Sequence, residues 1–309
     1  MIGESNRAIY VGIVATLGIA AIKFVAGAVT ASSVMLAEGV HSLVDTSDGL
    51  LLLLGRHRAR RPPDESHPFG HGQELYFWTL IVAILFFSVG GGVSVYEGVH
   101  HIFHPEPITD LGWNYAVLGA ATLFTLWSLR AAYRAFRRDS EGRGFWQTMR
   151  QTRDPTLVTL ILEDGADIAG LIIAFLGVYL STALHEPRLD GLASIIVGVL
   201  LAIVAMFLAG QSKRLLLGTG ADQQLLRDIC AVVQRDPSVG AVHRPVTVHF
   251  GPRVILLGLG IEFHPTLPAS EVARAIDRLE KLIRESHPVV RYIYLEAESV
   301  SRQKDGKTG

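Results

Sequence analysis

Cysteine is nearly missing from this chain: Cys230 is the only one among 309 residues. That excludes a disulfide framework and a thiolate cluster for a soft metal, so any metal site must use histidine and carboxylate. Charge is scarce as well. Asp, Glu, Lys and Arg make up 18% of the residues, against roughly 25% in soluble domains. With a formal net charge of −1, the chain lacks the basic excess that nucleic acid demands, and no nucleic-acid partner is expected. The shortage of charge is uneven. Long stretches carry almost none, whereas the final third has an ordinary mixture, the pattern of a membrane domain joined to a soluble one. A cleavable signal peptide is not expected either. The first apolar run, Ala8 to Val29, is far longer than a signal-peptide core and reads as a membrane span.

About 20 mainly apolar residues cross the hydrocarbon core as a helix. Runs that qualify are Ala8–Val29, Val34–Leu54, Leu75–His100, Trp113–Tyr133, Thr156–Thr182 and Leu189–Leu208. Six transmembrane helices are therefore expected in a bilayer-embedded domain over residues 1–217. Arg56, Arg58, Arg60 and Arg61 follow the second run, and Arg130, Arg134, Arg137, Arg138, Arg143, Arg150 and Arg153 follow the fourth. Lys213 and Arg214 follow the sixth, while the alternate connections hold only Arg188. By the bias of basic residues toward the cytoplasm, both termini are expected there. With no Arg- and Ser-rich stretch ahead of the first span, the expected membrane is a bacterial inner membrane.

From about Thr219 the texture changes. Asp222–Gln234 and Pro268–Ser286 show helical apolar spacing, and Val242–Phe250, Arg253–Phe263 and Val289–Ala297 read as strands. The order suits a small cytoplasmic α+β domain over residues 218–300, with a polar tail at 301–309. Pairing of two copies would protect its sheet edges.

Chemistry concentrates in two apolar runs. The second contains Glu38, His41, Asp45 and Asp48; the fifth contains Glu163, Asp164 and Asp167. His41 and Asp45 are four apart, as are Glu163 and Asp167, so each pair projects from one helical face. Two such pairs on facing helices supply four ligands, a set that zinc accepts. Ionisable groups at mid-helix cost at least about 2.5–3.5 kcal/mol each on insertion scales, and a bound cation or protons would offset that cost. Glu38 shares a face with His41, whereas Asp48 and Asp164 sit about a quarter turn or more away; supporting the ligands, accepting protons or lining the pore are the roles open to them, and none is assigned as a ligand. Gly39, Ser42, Gly165, Ala166, Ala169 and Gly170 are small enough to let the helices approach closely.

The segment Leu36-Ala-Glu-Gly-Val-His41-Ser-Leu-Val-Asp45 resembles the second-helix motif of the cation diffusion facilitators. His67-Pro-Phe-Gly70-His71-Gly72 resembles their loop motif, and Leu162-Glu-Asp-Gly-Ala-Asp167 their fifth-helix motif. The likeness covers essentially the whole chain. Together with Glu74-Leu-Tyr-Phe-Trp78, it is nearest the branch holding the animal mitochondrial zinc transporter and its bacterial relatives. The resemblance implies a homodimeric metal/proton antiporter with a metallochaperone-like, ferredoxin-like soluble domain. It puts the transport site at His41, Asp45, Glu163 and Asp167, and a second site in the loop at Asp64, His67 and His71. In the soluble domain only His243 stands at a position where relatives bind metal, so that domain is expected mainly to dimerise. Glu163 stands where well-known zinc exporters carry histidine, which makes the site harder and opens it to Mn, Fe(II), Co or Cd besides Zn.

The mechanism these readings imply is secondary active transport rather than catalysis. The deprotonated cluster binds a divalent ion from the cytoplasm, and protons displace it on the other side. The rivals from other classes are an intramembrane metalloenzyme, against which no HExxH-type motif stands, and a metal-gated channel or sensing scaffold.

Overall fold

A computed structural model describes residues 2–30, 33–104, 111–139, 144–145, 148–149, 154–186, 188–252 and 254–298; the side chains of 2–5, 26–27, 29–30, 33–41, 44, 111, 113–114 and 139 are excepted. The backbone divides into two units, one of residues 1–59 with 74–213 and one of 60–73 with 214–309.

The first unit is helical. Its elements are α1 (Ile2–Thr30), α2 (Ser33–Ala59), α3 (Glu74–Leu85), a π-helical segment (Phe86–Gly92), α4 (Val93–Phe103), α5 (Leu111–Asp139), α6 (Pro155–Leu184) and α7 (Arg188–Leu216). Among the described residues, five stretches are long and apolar enough to cross a membrane: Asn6–Val25, Glu74–Phe103, Tyr115–Arg138, Pro155–Leu184 and Arg188–Leu216. With 27 residues, α2 reaches about 40 Å and is long enough, but its acidic residues and terminal arginines keep it out of that apolar set. Large apolar side chains such as Tyr96, Leu123, Ile172 and Ile203 are exposed on these helices, as suits a lipid solvent.

The interior is built by Ile9, Leu52, Val82, Phe136, Val158 and Leu208, which bring α1, α2, α3, α5, α6 and α7 into one core. Close approach depends on small residues. A Cβ on Gly49 would sit 2.6 Å from Ile13 Cγ1, and one on Gly170 would sit 3.3 Å from Val197. Gly165 differs from expectation: a Cβ there would meet nothing within 4 Å, so it does not mark a close helix contact. The π-helical segment was not legible beforehand. It ends on Gly90, Gly91 and Gly92, which supply no side chains to hold regular α-helical packing, and the Ser94 hydroxyl donates to the Gly90 carbonyl at 2.7 Å.

The helices bearing the sequence-selected acids are tied at one end. Arg56 at the end of α2 reaches Asp154 at 3.3 Å, and the two side chains are only 10% and 20% exposed. Asp154 also N-caps α6 by accepting from Thr156 N, with Pro155 preset for the first turn. Asp154→Ala removes the cap and the ion pair together. It is expected to cost at least about 1 kcal/mol and to lower the midpoint of thermal unfolding in detergent by several degrees.

The second unit comprises α8 (Gln223–Gln234), β1 (Val239–Val242), β2 (Val246–Gly251), β3 (Val254–Phe263), α9 (Ala269–Ser286) and β4 (Val290–Glu298). β4 runs parallel to β3 along one edge, so β2 and β1 pair antiparallel with successive parts of its other edge. Alternate residues Ile255, Leu257, Leu259 and Ile261 bury one face against Ile229 and Val233 of α8 and Leu279 and Ile283 of α9. The run read as one strand from Val242 to Phe250 is two strands, broken at His243-Arg244-Pro245. Proline has no N–H for the ladder, and the chain leaves the sheet there.

Asp236 fixes the turn between α8 and β1. Its oxygens accept from Arg278 Nε and Nη2 at 2.8 Å each and from Ser238 N at 3.0 Å. These bonds, Arg278's first, hold the Asp236 carboxyl well below the usual carboxylate range. Its contribution to stability is therefore complete above the unfolded value and lost as pH falls through the folded one. Asp236→Ala is expected to cost about 1.5–3 kcal/mol, read as reduced amide-exchange protection of α8 and α9 in the full-length protein. Wild-type protection there should fall below about pH 4, and the variant should lack that dependence.

Candidate metal sites

The acidic residues of α2 and α6 face one another. Glu163 lies within the electrostatic reach of Asp48, Asp167, Asp164 and Asp45, and Asp167 within that of Asp45, Asp164 and Asp48. Asp45, Glu163 and Asp164 are partly buried, Asp48 is 5% exposed, and Asp167 is open to its surroundings. The cluster thus has a deep end and an accessible one. One oxygen each of Asp48, Glu163 and Asp164 is buried without a hydrogen-bond partner, so acceptor capacity is left over in a place where water is scarce. The Thr46 hydroxyl, which donates to Ser42 O at 2.9 Å and lies 3.0 Å from the Thr16 hydroxyl, fixes the turn of α2 against α1 between Asp45 and Asp48. His41 lies one turn before Asp45 in α2, but its side chain is outside the described residues, as is that of Glu38.

Two participants escaped the spacing argument. Asp48, not assigned as a ligand on the helical wheel, is the most deeply buried of the acids. Lys23 of α1 adds a positive charge that Asp167 feels. Its signal was available: it is the only charged residue between Arg7 and Val25, and a lone lysine inside an apolar span faces the protein interior.

The loop residues converge fully. Asp64, His67 and His71 each offer a ligand atom, and these atoms lie within 4.8 Å of one another. The loop geometry follows from Asp64, whose Oδ1 accepts from Ser66 N at 3.0 Å, Ser66 Oγ at 2.7 Å and His67 N at 2.7 Å. Its Oδ2 lies 2.9 Å from His71 Nε2, and the imidazoles of His67 and His71 lie with centroids 4.2 Å apart, tilted by 34°. The hydrogen bond from Ser66, followed by that from His71, holds the Asp64 carboxyl well below its ordinary value. It therefore stays ionised across the physiological range, as a metal ligand would need to. Gly70 turns the chain at φ +86°, a conformation that favours glycine.

This loop is seated on the sheet of its own unit. Phe69 stacks on Phe250 of β2 at 4.5 Å and meets Tyr292 of β4 edge-on at 5.1 Å. The Tyr292 hydroxyl donates to Pro68 O at 3.3 Å. Gly72 must be glycine, because a Cβ there would sit 2.2 Å from Phe250 O.

His243, the soluble-domain candidate, also has acidic company. Its Nε2 lies 3.0 Å from Glu262 Oε1 and 3.5 Å from Glu298 Oε2. Register explains the meeting: Glu262 of β3 pairs with Glu298 of β4, while His243 N donates to Gly260 O at 2.9 Å.

Comparison with known proteins bears on the family of the chain. Residues 9–217 match the model of the cation efflux transmembrane domain. Over 223 residues the chain is 35% identical to the human mitochondrial proton-coupled zinc antiporter SLC30A9, an overlap of 72% of this chain and 39% of that protein. It is 29% identical to metal tolerance protein C4 of Arabidopsis thaliana, over 92% of this chain and 63% of the relative. It is 22% identical to the manganese efflux system protein MneS of Bacillus subtilis, over 93% and 92% respectively. The chain spans about two fifths of the length of the zinc antiporter it matches. Five apolar helices, a shared acidic cluster and a family match over most of the chain lead to one conclusion: this is an integral membrane protein of the cation efflux family, the cation diffusion facilitators, on the SLC30A9 side of that family.

Proposed function

We propose that the protein exports a divalent metal ion, zinc first, in exchange for protons. The observation that carries this reading is the meeting of Asp45, Asp48, Glu163, Asp164 and Asp167 between α2 and α6. Such a concentration of carboxylates in apolar helices is tenable only with a cation or protons to neutralise it. His41, Asp45, Glu163 and Asp167 form the transport site, with α2 counted as the sixth membrane-spanning helix. Asp48 is the deep carboxylate that takes up a proton when the metal leaves. Alternating access then comes from rocking of the helices around the site.

Asp64, His67 and His71 form a second site, which binds metal on a loop already seated against the sheet. His243 with Glu262 and Glu298 is a third and weaker place for a cation. The soluble unit, with a metallochaperone-like fold, mainly joins two copies into a homodimer. Both termini are cytoplasmic, because the arginines in the C-terminal turns of α2 and α5 and the pair Lys213 and Arg214 in the last turn of α7 all stand at helix C-terminal ends. A bacterial inner membrane is the expected home.

The test is uptake into proteoliposomes with Zn, Mn, Fe(II), Co and Cd in competition at two pH gradients. Saturable flux that follows the pH gradient is expected. Flux that ignores the gradient would favour a channel, and no flux at all would favour a metal-sensing scaffold.

A further inference from the structure

The span formed by α3, the π-helical segment and α4 runs 30 residues from Glu74 to Phe103, about 45 Å. Three histidines, His100, His101 and His104, close its far end. They are not equivalent. His101 turns toward α7 and pairs with Asp190, Nδ1 to Oδ2 at 3.4 Å. That pair lies beside a contact of bare backbone: a Cβ on Gly98 would sit 2.6 Å from Gly191 O, and one on Gly198 would sit 2.8 Å from Gly91 O. The end of α4 is thereby held against α7.

His100 and His104 face the other way. They are four residues apart and exposed, with rings stacked at 4.8 Å between centroids and 25° between planes. His104 is the C-cap that follows the last residue of α4, Phe103, and its N–H donates to His100 O at 2.8 Å, which keeps the two residues one turn apart. On the inner side Tyr96, a further four residues back, stacks on His100 at 6.4 Å and limits the orientations that ring can take.

We propose that His100 and His104 form a binding site for a divalent transition metal. His100 in the last turn and His104 at the C-cap bring two stacked imidazoles together, and four-residue spacing, about one turn, is the separation at which two histidines can offer nitrogens to one ion. Imidazole suits Zn, Co, Ni and Cu. The last turn of α4 adds the negative end of its backbone dipole, which favours a cation. Two protein ligands leave the remaining positions to water, so the ion is held weakly and exchanges readily. That is the property required of a way station at the mouth of a pathway, where binding must be weak enough to let the ion leave. The role as a way station rests on the transport reading; the existence of the site does not.

The experiment measures zinc binding by calorimetry on full-length protein in lipid nanodiscs, carrying no affinity histidines. The background variant is Asp45→Asn, Asp167→Asn, Asp64→Asn and His243→Gln, which removes ligands from every other candidate site. One zinc equivalent is expected to remain. His100→Gln or His104→Gln in that background should each abolish it, and His57→Gln, at the opposite end of the spans, should leave it. Both substituted side chains are exposed, and the His57 variant controls for general perturbation. Absence of the residual equivalent, or its survival in either His100→Gln or His104→Gln, would overturn the proposal. A protein that binds this equivalent yet moves no metal under any gradient would sink the transport reading and leave this site standing.

Discussion

Asp45→Asn and Asp167→Asn are each expected to reduce zinc flux in proteoliposomes about 100-fold or more, a larger loss than removal of groups that merely orient ligands. The amide keeps the size of the carboxylate and removes its charge, so helix packing is preserved while the cation loses a counter-ion. Asp45 and Asp167 come from different helices and lie within reach of one another, hence neither can be replaced by its neighbour. Asp164→Asn provides the contrast. Its carboxylate takes a hydrogen bond from the Ser128 hydroxyl on α5, which makes it a link to the surrounding helices more than a free ligand, and a loss under about tenfold is expected. Normal flux in both Asp45→Asn and Asp167→Asn would show that the acidic cluster is not the transport site.

How much of this was legible beforehand depends on the range of the contact. The helices could be read from the chain because an apolar run of the right length is a local signal, and the His41/Asp45 and Glu163/Asp167 pairs because four-residue spacing is one turn. Asp48 could not be assigned that way. Its place depends on how α2 is rotated within the bundle, and the contacts of Thr46 with Thr16 and of Gly49 with Ile13 set that rotation against α1. The same limit applies to the loop. Asp64, His67 and His71 lie within eight residues and could be grouped on sight, yet the seat for Phe69 comes from Phe250 and Tyr292, far along the chain. The meeting of His243 with Glu262 and Glu298 required the register between β3 and β4, whereas the boundary between β1 and β2 was signalled locally by Pro245 and passed over in reading Val242–Phe250 as one strand. That boundary apart, the residue types were visible, and only the three-dimensional neighbour was missing.

Glu163→His is expected to shift the preference of the transporter toward zinc over manganese by about 10–100-fold, the span by which small changes around a metal site alter its affinity. Glu163 is a hard oxygen donor in a site that already holds several carboxylates, and this donor set tolerates manganese and iron(II) as well as zinc. Imidazole is the softer ligand and suits a tetrahedral zinc ion with two nitrogen donors, His41 supplying the other. The substitution also removes one negative charge from a cluster in which Glu163 neighbours four other carboxylates. Fewer protons are then needed to neutralise the empty site. Transport of zinc by the variant should therefore move fewer protons per ion, measurable as a shift in the pH gradient that balances a fixed zinc gradient. Among the relatives, one is named for zinc and another for manganese, so both outcomes lie within the chemistry of the family. If the zinc-to-manganese flux ratio is unchanged in Glu163→His, the position does not touch the ion, and the ligand set must be sought among Asp45, Asp48 and Asp167.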